Sequence, residues 1–363
     1  MDAVLKALLL LNSVSADIRV WRKFQSLSFE PRALWEGDFE SIGRNIKLSE
    51  GAFQLLKREA MTEWAEREID KCSSSGISLV TCLEDAYPQE LFDLENAPLL
   101  LYWKGAHIDI GSYRTVGVVG TRKCSQYGRK TAERIGNFCA DYDNLLISGG
   151  AMGIDGCAHY GAAELHGKTI AVFGNGVDIV FPQCNAKLFD KILENGALVS
   201  EFPLGAAGEA WRFPRRNRIV AAMSERLIVV EAPIKSGAMI TARIALELGR
   251  EVWAVPGHID DEVSDGPNRL IFDGAYPYVS ADLFWGTQCI DTSSKDKAAS
   301  SVPTLNHDES LVMGCLTRSG GRTVDNIADE VNISAAEVLK IITLLSAKGL
   351  VYSSGPGRYS SGN

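Results

Sequence analysis

Between residues 115 and 255 the chain keeps returning to one pattern: a short apolar run, a glycine-bearing turn, then a segment of helical period. Thr115 to Val119 leads through Gly120-Thr121-Arg122 into a predicted helix from about Gln126 to Asp141. Leu145 to Ser148 leads through Gly149-Gly150 and on to Asp155, opening a helix that runs to about Leu165. Thr169 to Phe173 precedes Gly174-Asn175-Gly176, and Leu198 to Glu201 reads as a further strand. Leu227 to Val230, a helix through Met239, Ala242 and Leu246, and Glu251 to Val255 complete the series. Continuous apolar runs belong to strands buried on both faces, and strands alternating with helices predict a parallel sheet. All the glycine loops then share the edge at the carboxyl ends of the strands, where open α/β sheets bind ligands.

The flanks read differently. Residues 1–71 predict helices at Val4 to Leu11, Ile18 to Phe24, Pro31 to Trp35 and Glu50 to Lys71. They fit a small accessory domain that touches DNA backbones or partners, or one that only packs. Residues 72–286 hold the α/β domain, entered through Ile77 to Thr81 and Leu99 to Trp103. A polar linker over 287–307 leads to 308–363, where three helices and a β-hairpin predict a winged helix. Ser334 with Glu337 forms a capping-box pattern there. From Thr304 onward five Lys/Arg face six Asp/Glu. That balance fits protein docking better than a duplex groove.

A net charge of −9 over 363 residues excludes a protein that wraps nucleic acid by bulk charge, so any such site must be a local basic patch. Eight cysteines without a C-x-x-C pair read as reduced thiols rather than disulfides or zinc ligands. The apolar start lacks a basic n-region and no run approaches about 18 residues, so a cytoplasmic protein without membrane segments is expected.

The local patch is the segment Trp211-Arg212-Phe213-Pro214-Arg215-Arg216-Asn217-Arg218. Arginines meet phosphate oxygens bidentately and aromatic faces stack unpaired bases, so the mixture suits single-stranded nucleic acid. Gly120-Thr121-Arg122, Gly149-Gly150 and Lys235-Ser236 offer helix-start amides or positive charge at the same sheet edge, and Arg243 adds to it. The alternative for the arginines is structural pairing, Arg122 or Arg218 with a carboxylate such as Asp155 or Glu231. No G-x-G-x-x-G and no P-loop lysine are present, since Lys168 precedes a strand, and no cofactor is implied. Asp155 and His159, i and i+4 on one helix, fit an acid/base pair or a helix-stabilising hydrogen bond.

In order along the chain, VGVVGTRKCSQYG, ISGGAMGIDGCAH, SEFPLG, FPRRNRIVAAMS, VVEAPIKSGAMITARIAL and GPNRLIFDGA resemble the DNA-processing protein A family (DprA, also called Smf). The resemblance spans roughly residues 79–284. It implies an extended Rossmann domain, often flanked by a helical domain of SAM or helix-hairpin type and a winged helix. It also implies a homodimer without enzymatic activity that binds single-stranded DNA and loads the RecA recombinase during natural transformation. By position, the family's G-[ST]-R signature falls on Gly120 to Arg122 and its DNA-contacting FPxRNR on Phe213 to Arg218. SGGAMG and SGAMITA depart from the commoner SGLAxG and SGSLITA, and Ala210-Trp211 stands where a basic residue is frequent. The fold also resembles phosphoribohydrolases of the cytokinin-activating group. Their catalytic glutamate has no counterpart at the expected offset in SGGAMGID or EAPIKSGAMITAR.

Overall fold

The computed structural model describes residues 3–36, 39–46, 48–56, 59–285, 307–316, 322–331, 333–347, 351–355 and 358–361. They fall into two compact units, residues 1–288 and 289–363.

The first unit opens with α1 (Ala3–Ser13), α2 (Ile18–Ser26), α3 (Ala33–Glu36), α4 (Phe39–Asn45), α5 (Glu50–Leu56) and α6 (Glu59–Ser74). The expected helix from Glu50 to Lys71 corresponds to α5 and α6, whose junction at 57 and 58 lies outside the described residues. The sheet elements then follow: β1 (Ile77–Thr81), β2 (Leu100–Gly105), β3 (Thr115–Val119), α7 (Gln126–Asp141), β4 (Leu145–Ser148) and α8 (Ile154–Glu164). Next come β5 (Thr169–Phe173), α9 (Ala186–Asn195), β6 (Ala197–Ser200), α10 (Arg212–Met223) and β7 (Arg226–Val229). The unit closes with α11 (Gly237–Glu247), β8 (Glu251–Ala254), α12 (Asp265–Phe272), β9 (Tyr276–Pro277) and α13 (Ala281–Trp285).

The sheet order is β1-β2-β6-β5-β4-β3-β7-β8-β9. From β6 to β9 every neighbour is parallel, as the apolar runs predict. The two entry strands, whose direction the sequence left open, are antiparallel: β2 pairs with β6 and β1 with β2. The 82–99 connection carries only the short 3-10 turn Gln89–Asp93, with no α-helix to carry the chain back across the sheet. The strand order reverses about β3: β4, β5 and β6 lie on one side of it and β7, β8 and β9 on the other. The loops after β3 and β7 therefore flank the switch point of the sheet.

Both faces are buried. Val116, Val118, Leu146 and Ile228 pack under α7 and α8. Leu145, Ile147, Leu227 and Val229 face the opposite layer, which includes Ile219 and Val220 of α10 and Ala242 of α11. That second core runs on without a break into Leu8, Leu11, Trp21 and Phe24 of the N-terminal helices. Polar ties reinforce it: Asn12 donates to the Glu201 carbonyl at 2.9 Å, and the Leu204 amide donates to Glu68 at 2.7 Å.

The second unit holds α14 (His307–Cys315), β10 (Arg322–Thr323), α15 (Val324–Val331), α16 (Ala335–Ala347), β11 (Val351–Gly355) and β12 (Arg358–Ser361). Its antiparallel sheet has three strands, in the order β10-β12-β11, one more than the expected hairpin. Ser334 accepts from the Glu337 amide at 3.3 Å and donates to its carboxylate at 2.7 Å, tying off the start of α16. Of the linker expected over 287–307, residues 287–306 lie outside the described residues, as does the turn at Pro356-Gly357, while His307 already begins α14.

α7 and α8 approach closely enough that a Cβ at Gly161 would stand 2.1 Å from the Glu133 carbonyl oxygen. We expect Gly161→Ala to cost about 1–3 kcal/mol by overpacking, against a helix-propensity gain of about 1 kcal/mol. A urea titration checks it, and an unchanged or raised midpoint would contradict the close approach.

Candidate nucleic-acid interface

The loops after β3 and β7 and the first turns of α10 and α11 enclose a basin of about 650 Å³. Gly120, Thr121, Arg122, Phe213, Arg216, Asn217 and Ser236 line it, so the structure brings seven of the sequence-predicted residues together. A narrow slot of about 40 Å³ adjoins it, walled by Gly149, Gly150, Phe173, Phe181 and Phe213. The Arg122 guanidinium stacks 5.2 Å from the centre of the Phe213 ring, and Phe181 lies 5.7 Å from Phe213 on another side.

Beneath the basin lie two buried opposite charges, Arg216 and Asp155, which feel each other's field without a direct salt bridge. Arg216 is 4% exposed, and one guanidinium nitrogen donates to the carbonyls of Gly149 and Val172. Asp155 lies beside it, with its carboxylate accepting from the backbone N–H groups of Ala151, Gly120 and Gly149. Burial pushes the Asp155 carboxyl above its ordinary range, and Arg216 and those amides partly oppose the shift. Burial likewise lowers Arg216 to about 10, with Asp155 pulling the other way. A Cβ at Gly149 would stand 2.5 Å from Asp155 and 2.6 Å from Arg216, so only glycine leaves room for both side chains.

This overturns part of the sequence reading. The Gly120 and Gly149 amides, expected to meet an external anion, already serve an internal one. Asp155 also makes no pair with His159, whose Nδ1 lies 2.7 Å from the Thr169 hydroxyl. Arg218 is no groove residue: it is 5% exposed and bonds Glu201 at 2.5 Å. Structural pairing does occur, with Glu201 rather than Asp155 or Glu231 as the partner. Glu231 instead accepts from the Ser125 amide and hydroxyl at 2.8 and 2.5 Å. Arg215 shares Glu201 at 3.2 Å and donates to the Ser15 carbonyl. Arg212 lies over Trp211 and Phe202, while the Trp211 indole donates to Glu209. Neither these residues nor Lys235 line the basin.

The family model for DNA recombination-mediator protein A matches residues 78–287, more than half of the chain. The chain belongs to that family.

Among its relatives, the DNA processing protein DprA of Streptococcus pneumoniae is 42% identical over 193 residues, 53% of this chain and 68% of that protein. The solved structure of DprA from the same organism superposes with a TM-score of 0.62 at 32% identity, covering 78% of this chain and 95% of that one. DNA processing protein A from Helicobacter pylori, a structure described for its mode of binding single-stranded DNA, gives 0.53 at 28% identity, covering 59% and 96%. Within the family's matched span the structure adds residues that sequence reasoning missed: Asn175, Phe181 and Pro182 at the slot and Thr241 at the basin. The GNGVDIVFPQCN run carried a signal for the first three, as its glycines follow a strand end at the same sheet edge.

Arg218→Ala should behave as a core lesion, costing on the order of 3 kcal/mol because Glu201 is left short of a buried partner. Thermal melts check it; an unchanged melting temperature would return Arg218 to the surface set. His159 supplies a pH test. Burial, with the Arg216 charge behind it, lowers its imidazole to about 3, whereas in the unfolded chain it titrates near 6.5. Between those values the unfolded state binds more protons, so stability is lost as pH falls through that window, by at most about 5 kcal/mol. His159→Gln should flatten the stability profile between pH 6.5 and 4, and a profile as steep as the parent's would contradict the assignment.

Proposed function

We propose that this chain binds single-stranded DNA, protects it, and loads the RecA recombinase onto it in the cytoplasm during natural transformation or recombination. The observation that carries the reading is the Arg122–Phe213 stack at the mouth of the basin. It sets a cation for phosphate against an aromatic face for an unpaired base. Lys123, Asn217 and the start of α11 at Ser236 supply further donors around the same rim. The H. pylori relative, described as binding single-stranded DNA, supports the same ligand.

The carboxylates support binding over catalysis. Asp155 is the one carboxylate among the described residues lining the basin, and three backbone amides and Arg216 already hold it. That arrangement favours a DNA-binding protein over a phosphoribohydrolase, which would need a free carboxylate at the substrate. A homodimer through the α/β unit is supported by exposed apolar side chains near the β8–β9 end of the sheet. Phe272, 80% exposed, closes α12, and Ile234 and Ile240 are also exposed, on the loop after β7 and on α11. We read residues 307–361 as a winged helix serving protein docking. No helix among the described residues is long and apolar enough to cross a membrane.

The decisive variant is Arg122→Ala. It should weaken oligo-dT binding at least about tenfold and flatten the salt slope by about 0.7, one phosphate's worth for a single strand, while leaving the melting temperature unchanged. Blunt duplex should bind more weakly than oligo-dT at matched salt. A large fall in melting temperature with unaltered affinity of the folded protein would refute the basin as the site.

A further inference from the structure

Across the glycine loops from the basin lies a second, larger hollow of about 920 Å³, between the first turns of α7 and α8 and the outer face of α9. Arg122, Lys123 and Met152 belong to its lining as well, and Arg122 and Lys123 also line the basin. The two depressions therefore meet at the loop after β3. Its further wall carries Arg129 of α7 and Lys187 of α9. Together with Arg122 and Lys123 these make four cations, all exposed and none within ion-pair distance of a carboxylate among the described residues. Of the two lining glutamates, Glu164 is neutralised by Lys191 and also receives the Tyr160 hydroxyl, which leaves Glu133. In a chain of net charge −9, four unpaired cations around one hollow are a local field of the opposite sign. Tyr160 and Met152 stand about half exposed on the floor, flat or pliant apolar surface of the kind that accepts an unstacked base.

Resting on the single-strand reading above, we propose that the bound strand does not end at the basin. It turns around the loop at Arg122 and continues across this second hollow, its phosphates meeting Arg129 and Lys187 and its bases meeting Tyr160. An acidic protein segment would find the same charges. Continuity with the basin through Arg122 and Lys123 favours the strand, because one polymer then satisfies both sites without a break.

The test compares two lengths of oligo-dT, about 6 and about 20 nucleotides, chosen to bracket the usual span of a single-strand site. The full chain is assayed as wild type and as the double variant Arg129→Ala, Lys187→Ala. Both side chains are exposed, so folding is checked by melting temperature and expected to hold. The double variant should bind the short oligonucleotide like wild type, bind the long one roughly tenfold more weakly, and show a salt slope smaller by about 1.4 for the long one only. A second readout is site-resolved maleimide labelling of Cys184, an exposed thiol in the wall of the hollow. The long oligonucleotide should slow it at least about threefold and the short one little.

Unchanged affinity for both lengths, or Cys184 labelling indifferent to the long oligonucleotide, overturns the extended track while leaving the basin intact. If wild type binds neither length, the single-strand reading itself fails and the track falls with it. Protection of Cys184 by polyglutamate but not by DNA would assign the hollow to an acidic protein and likewise overturn the proposal.

Discussion

The buried side chains of Arg216 and Asp155, packed around Gly149, are the constraint on which the rest of the site depends. Each of the two is bound into the backbone. Asp155 gathers the amides of the loops after β3 and β4, while Arg216 closes the carbonyls at the ends of β4 and β5. Four segments distant in sequence are thereby fixed to one point under the switch of the sheet. Glycine at 149 is what lets the two side chains approach that closely.

From that anchor the arginines of α10 divide by helix geometry. Arg215 and Arg218 are three residues apart and share one face, where Glu201 receives both. Arg216, one position on from Arg215, points into the sheet edge. Phe213 and Asn217, four apart, face the basin. One helix thus holds the N-terminal helices through Glu201 and Ser15 while it presents an aromatic ring and an amide to ligand. The continuous core from α1 and α2 to α10 supports the back of the helix whose front forms the site.

Much of this was legible in the sequence because burial and period are local properties. The strand limits of β3, β4 and β5 and the span of α7 follow directly from apolar runs and helical spacing. What the six-residue arginine motif could not reveal was which of its charges had partners, because Glu201 and Asp155 arrive from other parts of the chain. Helical period groups Arg215 with Arg218, but it does not say whether that face meets solvent or a carboxylate. The glycine loops misled for a related reason. Free amides at helix starts attract an anion, and the sequence does not say that Asp155, inside the same loop-helix, is that anion. Antiparallel β1 and β2 escaped notice because an apolar run fixes a strand but not its direction.

The central claim, that single-stranded DNA lies against Phe213 in the basin of the α/β unit, is tested most directly by site-resolved photocross-linking. Oligo-dT carrying a photoreactive thymine analogue would be irradiated on the full chain, and the modified peptides located by mass spectrometry. The account predicts adducts at Phe213 and at neighbouring Phe181, lost when a large excess of unmodified oligo-dT competes. Adducts confined to residues 307–361, with none in the α/β unit, would contradict it.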